Sequence, residues 1–274
     1  GLGQYLVSRN TVPKLRKALK ASSPGTRFEQ QCWGEGKKWV AGVDEVGRGS
    51  WAGPLTVAAV VIPRDRRIYK VRDSKMLKES ERELLYDRIV DWVDAWGIGH
   101  ASEVECDELG MSAAQKLAAR RALEATGVDL DHVLIDGNWD FVGGSTTKIV
   151  KGDVKCLSIA AASVIAKVTR DRLMRSMAEQ YPSYFFQDNK GYPCPRHRAA
   201  LAQVGASVVH RHSWSFIGAL PDSGIELRCA SSLGEVPTAA PAAKQIKSGA
   251  SSRAAAGLAP IEKAPGLFDV GVSL

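Results

Sequence analysis

No stretch of this 274-residue chain approaches the ~20 consecutive apolar residues a membrane-spanning helix needs, so no bilayer span is expected. The N-terminus lacks the charged start and apolar centre of a secretory signal, and a cytoplasmic protein is expected. Cysteine is sparse: the five (Cys32, Cys106, Cys156, Cys194, Cys229) are odd in number, far apart, and form no CxxC pair. That pattern supports neither a disulfide framework nor a zinc site, and fits reduced thiols. His197, His210 and His212 have no cysteine or histidine partner at ligand spacing, so a histidine metal centre is not expected. No internal repeat is long enough to build a solenoid.

Negative charge is in deficit. Lys plus Arg number 37 against 30 Asp plus Glu. From Asp222 onward five basic residues balance five acidic ones, so the whole surplus of seven lies in the first 221 residues. A basic folded body favours polyanionic partners, although charge alone does not identify one.

Residues 1–37 read as a basic leader, with Thr11-Val12-Pro13 opening a short helix through Lys20. From Lys38 strand and helix signals alternate. Strands are predicted over Lys38–Asp44, Leu55–Ile62, Ile98–Val104, His132–Asp136 and Thr146–Val150. Helices are predicted over Glu79–Trp96, where Leu85, Ile89, Trp92 and Trp96 recur at helical spacing, and over Ser112–Ala125, Ser158–Gln180 and Pro195–Gln203. Such interleaving predicts an α/β fold, a mixed sheet covered by helices, spanning 38–220. From Ala230 to Pro265, 23 of 36 residues are Ala, Ser, Gly or Pro, so residues 221–274 are expected to form a disordered tail.

The chemistry gathers at predicted strand ends. Asp44-Glu45 closes the first strand and runs into Gly47-Arg48-Gly49; Asp136 closes Val133-Leu134-Ile135; Asp153 follows Ile149-Val150-Lys151-Gly152. Adjacent carboxylates repel, and holding them ionised calls for a cation between them. Hard divalent ions such as Mg²⁺ or Mn²⁺ take such oxygen ligands, and a pair of them supports in-line displacement at phosphorus. Taken singly, Asp136-Gly137 and Gly152-Asp153 also fit ordinary turns. Three acidic strand ends beside glycines fit independent turns poorly, yet periodicity does not establish that they meet.

Ala41-Gly42-Val43-Asp44-Glu45-Val46-Gly47-Arg48-Gly49 resembles the N-terminal signature of bacterial ribonuclease HII. Further matches follow in the family's order: Asp73-Ser74-Lys75-Met76-Leu77, Ile135-Asp136-Gly137, Lys151-Gly152-Asp153 running into Ser158–Asp171, Asn189-Lys190-Gly191-Tyr192 and His210–Phe216. The resemblance covers about residues 38 to 217. It implies a ribonuclease H-like mixed β-sheet with flanking helices and a helical C-terminal region. It implies two Mn²⁺ or Mg²⁺ ions on Asp44, Glu45, Asp136 and Asp153, the acids reached above from spacing. Gly47, Arg48 and Gly49 are implied to read the ribose 2′-hydroxyl and adjacent phosphate, Tyr192 to stack on the following sugar, and Lys75 and Lys167 to meet backbone phosphates.

The implied substrates are RNA–DNA hybrids and duplex DNA holding single ribonucleotides, cut on the 5′ side of the ribonucleotide by a monomer. Two departures stand out. Pro193-Cys194-Pro195 follows Tyr192 where the family usually has a Gly-Thr step, and the closing motif carries His212 and Trp214 where arginine and phenylalanine are common. Rival readings are a type-three ribonuclease, which carries a sizeable extra N-terminal domain, and a catalytically silent nucleic-acid-binding relative; intact acids at all four positions oppose the latter. Leu267-Phe268 near the end loosely resembles a sliding-clamp docking peptide, without that motif's glutamine and first leucine.

Overall fold

The structure, a computed structural model, describes residues 24–217 and Leu220. The expected leader helix (11–20) and tail (221–274), with Leu267 and Phe268, lie outside the described residues. Five strands form one mixed sheet: β1 (Val40–Val46), β2 (Leu55–Val61), β3 (Ala95–Ala101), β4 (His132–Asp136) and β5 (Thr146–Ile149), in spatial order β3-β2-β1-β4-β5. The β1–β2 and β2–β3 pairs are antiparallel; β1–β4 and β4–β5 are parallel. The helices, in chain order, are α1 (Arg27–Gly34), α2 (Glu79–Trp92), α3 (Glu103–Leu109), α4 (Met111–Glu124), α5 (Gly152–Lys155), α6 (Leu157–Gln180), α7 (Phe186–Asn189) and α8 (Pro195–Val204).

The sequence of β2, Leu-Thr-Val-Ala-Ala-Val-Val, is buried at every position, because helices cover both faces of the sheet. Its alternation still shows in what each side chain meets. Ala58 and Val60 join a core with Leu85 and Ile89 of α2 and with Ala161 and Ile165 of α6. Val57 and Ala59 face the other way, into a core with Ala114, Ala118 and Ala122 of α4. The first ten residues of α6, Leu157–Ala166, are all buried, which its alanines permit by letting the sheet approach closely. A third cluster, joining Trp51, Met174, Tyr184, Phe186, Leu201 and Val209, packs the C-terminal helices against the end of α6.

Three differences from the sequence reading have physical causes. The predicted helix over Glu79–Trp96 stops at Trp92, and Trp96 belongs to β3. Asp94 already donates its backbone N–H to Val61 O, so the sheet ladder captures the chain before a further helical turn forms. Trp96 still meets α2, edge-on to Tyr86, so its spacing imitated a helical face. Strand β3 accordingly runs Ala95–Ala101, not to Val104, which lies in α3; the capping box Ser102–Glu105 starts that helix.

Finally, residues 24–37, assigned by composition to the leader, hold α1. Glu29 of α1 is fully buried, and its Oε1 accepts from Ser158 N–H at 2.8 Å, capping the first turn of α6. Among the described residues the four cysteines are free, and no helix is long and apolar enough to cross a membrane.

Gly97 and Gly99 are unusual residues for a strand such as β3, since glycine is depleted in strands. Their purpose is contact: a Cβ on Gly99 would stand 2.0 Å from Ala118 O on α4. Gly99→Ala is therefore expected to destabilise the protein by about 1–3 kcal/mol in denaturant unfolding. Gly34→Ala, whose methyl meets nothing within 4 Å, is the control and is expected to change stability by under ~0.5 kcal/mol.

Candidate active site

The parallel pairing of β1 with β4 ends with Val43 opposite Ile135, which brings the next residues, Asp44 and Asp136, side by side. Asp44 and Glu45 do not close β1 as expected, since the strand runs on to Val46 through its pairing with β2. Asp136 in turn pairs with Ile149 of β5. Asp153 is not on a strand end: β5 closes at Ile149, Lys151 turns the chain through a left-handed conformation, and Asp153 lies in the helical turn α5. The Gly152 N–H donates to Asp136 Oδ1 at 2.6 Å, which ties this turn to the end of β4. Asp44 and Asp153 are buried, whereas Glu45 and Asp136 are half-buried.

These carboxyls press on one another. Burial first, then the charges of Glu45 and Asp136, push the Asp44 carboxyl well above its usual range, against the opposing Ser163 hydroxyl and Lys75. Glu45 is raised by burial and by Asp136, with Arg48 opposing. Asp136 is raised by burial and by Asp153, with the Gly152 N–H opposing. Asp73, at the start of the Asp-Ser-Lys motif, is also raised by burial and by Asp153.

One cation offsets part of this. The Lys75 ammonium lies 3.3 Å from Asp153 Oδ2. Burial draws its pKa down, but Asp73, Asp153 and Asp44 together outweigh burial and leave it raised. Among the described residues no three His, Cys, Asp or Glu side chains close into a ready metal cage. The carboxyls instead turn to separate donors: Asp44 Oδ1 to Glu45 N–H, Asp136 to Gly152 N–H, Asp153 to Lys75. The donor set, all carboxylate oxygen, suits a hard divalent cation, and each mutual rise in pKa is repulsion such a cation would relieve.

Beside the acids, the Gly47–Gly49 turn is fastened from several sides. Gly47 takes φ 92°, and a Cβ there would stand 2.3 Å from Arg170 Nε. Its N–H donates to Tyr192 Oη at 3.0 Å. The exposed Arg48 is not loose: Nη1 donates to Gln115 Oε1 at 2.7 Å, and its guanidinium lies 5.4 Å from the Trp139 ring centroid. The Tyr192 ring is flanked by Lys167 Nζ at 5.5 Å and Arg170 at 5.3 Å. Lys167 also pairs with Asp171 at 2.8 Å, so part of its charge is neutralised within the fold.

The structure thus gathers Asp44, Glu45, Asp136, Asp153 and Lys75 at one end of the sheet, with Gly47–Gly49, Tyr192 and Lys167 adjoining through Gly47 and Tyr192. Sequence reasoning missed Ser163, Gln115, Trp139 and the buried Arg170 and Arg211. Gln115 left a faint signal, a polar residue on the alanine face that Ala114, Ala118 and Ala122 bury. Arg211 lay within the closing His210–Phe216 motif but was given no role; its guanidinium donates to Arg48 O and Gly53 O, bracing the turn from behind.

Comparison with known proteins identifies the family. The ribonuclease HII family model matches residues 41–217. A ribonuclease HII of Streptomyces avermitilis is 47% identical over 188 residues, covering 68% of this chain and 81% of that protein. One from Bacillus licheniformis is 44% identical over 190 residues, covering 69% and 74%. Among solved structures, the ribonuclease H2 from Pyrococcus horikoshii OT3 superposes with a TM-score of 0.59 at 27% identity, covering 66% of this chain and 96% of that one. On these matches and this fold, the chain belongs to the ribonuclease HII family and is a ribonuclease H endonuclease.

Proposed function

We propose that the protein hydrolyses the phosphodiester on the 5′ side of ribonucleotides, in RNA–DNA hybrids and at single ribonucleotides within duplex DNA, leaving 3′-hydroxyl and 5′-phosphate ends. Such an activity removes ribonucleotides during DNA replication and repair. The observation that carries this reading is the mutual electrostatic pressure of Asp44, Glu45 and Asp136, with Asp153 beside them, next to a glycine-flanked arginine turn.

Asp44, Glu45, Asp136 and Asp153 would hold two Mg²⁺ or Mn²⁺ ions. Bound there, the ions would lower the pKa of the attacking water and stabilise the departing 3′ oxygen. The remaining work belongs to the chain. Arg48, oriented by Gln115 and Trp139, offers a fixed guanidinium to the phosphate beside the ribose. The amides of the Gly47–Gly49 turn supply donors for the 2′-hydroxyl, the group that distinguishes RNA from DNA at one position. A site built around that hydroxyl rejects a deoxyribose because its polar groups are then left unpaired. Tyr192, its hydroxyl anchored on Gly47 N–H, presents its ring to the neighbouring sugar. Lys75 exchanges its hold on Asp153 for a backbone phosphate, and Lys167 lends positive potential beside Tyr192.

Incubation of a duplex holding one ribonucleotide with Mg²⁺ or Mn²⁺ is expected to give a single cut 5′ to the ribose, and Asp44→Asn to lower the rate more than about 100-fold. An Asp44→Asn protein that cuts as well as wild type sinks the reading. Arg48→Ala is expected to lower kcat/KM about tenfold on the same duplex. The acids also predict a stability effect of definite sign. Since the folded-state pKa of Asp44 is raised, its ionised form destabilises the metal-free fold above that pKa, and the loss is recovered as pH falls through it. At pH 8 without divalent ions, Asp44→Asn is expected to melt about 2–4 °C above wild type. Adding Mn²⁺ is expected to raise the melting temperature of wild type and to leave the variant less affected.

A further inference from the structure

His197 and His210 are completely buried, yet the chemistry above makes no use of them. His197 lies in the first turn of α8, and His210 immediately precedes Arg211. Their Nε2 atoms stand 3.1 Å apart, enclosed by the rings of Trp51, Tyr184 and Phe186. One proton therefore lies between the two imidazoles, and the surrounding bonds say which ring owns it.

The Ser207 backbone N–H donates to His210 Nδ1 at 3.0 Å, so that nitrogen accepts and a neutral His210 carries its proton on Nε2. At the other end, His197 Nδ1 lies 3.0 Å from the carbonyl oxygen of Tyr192, which can only accept. His197 therefore carries its proton on Nδ1 and leaves Nε2 as the acceptor for His210. The bonds run in one direction, from Ser207 N–H through His210 and His197 to the Tyr192 carbonyl. Adding a proton to either ring would bring two N–H groups face to face. Burial holds both rings neutral, drawing the His210 pKa down to about 3.

We propose that His197 and His210 are positioning residues, whose tautomer-fixed hydrogen-bond chain sets the backbone of Tyr192 and so the placement of its ring beside the Gly47–Gly49 turn. The proposal rests on the reading of Tyr192 as the platform for the substrate sugar. It also explains how a single element coordinates both halves of the recognition surface. The residue after His210 is Arg211, which holds the Arg48 carbonyl at 3.1 Å, so the dyad joins the segment carrying Tyr192 to the segment bracing Arg48. Pro193 and Pro195 limit the backbone between Tyr192 and His197, so a displacement at His197 passes to the tyrosine.

The test is a double-mutant comparison on the single-ribonucleotide duplex. His197→Gln keeps an acceptor toward His210 but withdraws the donor from the Tyr192 carbonyl; His197→Asn keeps that donor and loses its reach to His210. With Tyr192 present, His197→Gln is expected to lower kcat/KM about tenfold. In the Tyr192→Ala background, where the ring is already gone, the same change is expected to cost less than about twofold. His197→Asn, which cuts the link to His210 while keeping the donor, is expected to lower kcat/KM about threefold with Tyr192 present and under about 1.5-fold in the Tyr192→Ala background, and it decides the matter should His197→Gln not fold. An equal fall in both backgrounds for either variant, or a His197→Asn enzyme as active as wild type, overturns the positioning role of the dyad while leaving Tyr192's role intact. A Tyr192→Ala enzyme as active as wild type overturns the platform reading itself, and the proposal with it.

Discussion

A cation buried in the middle of the molecule constrains everything around the active site. The Arg170 guanidinium, 0% exposed, donates to the carbonyls of Pro54, Ala52 and Lys190 and to Ser50 Oγ. Burial lowers its pKa to about 10, which still leaves it charged at neutral pH. A buried charge is tolerated only when its hydrogen-bonding groups are met. The chain around 50–54 and 190 therefore has to wrap this one side chain of α6. That wrapping fixes the Gly47–Gly49 turn against Arg170 and sets Tyr192 over it. The proposed recognition surface is thus built around a central helix, although its residues come from distant segments.

The acid cluster is the opposite case, carboxyls whose backbone donors and one lysine offset only part of their burial and mutual repulsion. Asp44 sits on a strand between the fully buried β2 and the largely buried β4, where burial and the charges of Glu45 and Asp136 raise its pKa. Such local conflict persists where the surrounding structure is strong enough to impose it. Here the strength lies in the two-sided burial of β2, the fully buried start of α6 and the Glu29 cap on that helix. Rigid elements on either side also keep the acids in register with the turn, which a catalytic centre requires.

Much of this was legible along the chain. β-Branched runs marked β1, β2 and β4, and a long apolar helix marked α6. Asp136 was legible as the acid that ends β4, whereas Asp44 and Glu45, read as closing the first strand, lie inside β1, which pairing with β2 extends to Val46. Where the reading failed, tertiary contact had overruled a local signal. Trp96 carried helical spacing but was drawn into the sheet through the ladder that Asp94 begins. The predicted strand began at Ile98 rather than Ala95, because Trp96 was given to the helix and Gly97, pressed against the Ala122 carbonyl of α4, carries no strand signal of its own. Residues 27–34 looked like polar leader because only a few of them, Phe28, Glu29, Cys32 and Trp33, reach the core.

The sequence by itself determined the kind of molecule: its α/β alternation, its family through six ordered motifs, and the residue types able to bind cations and read a sugar. These are properties of short segments, carried by periodicity, propensity and motif. Tertiary structure alone decided which partners those residues have. Arg48 is held by Gln115, 67 positions away, and Gly47 by Tyr192, 145 positions away. The tautomers of His197 and His210 follow from a backbone N–H at one end and a carbonyl at the other. Such pairings arise from packing the sheet between its helices, and no local pattern encodes a contact that forms only when distant segments are buried together.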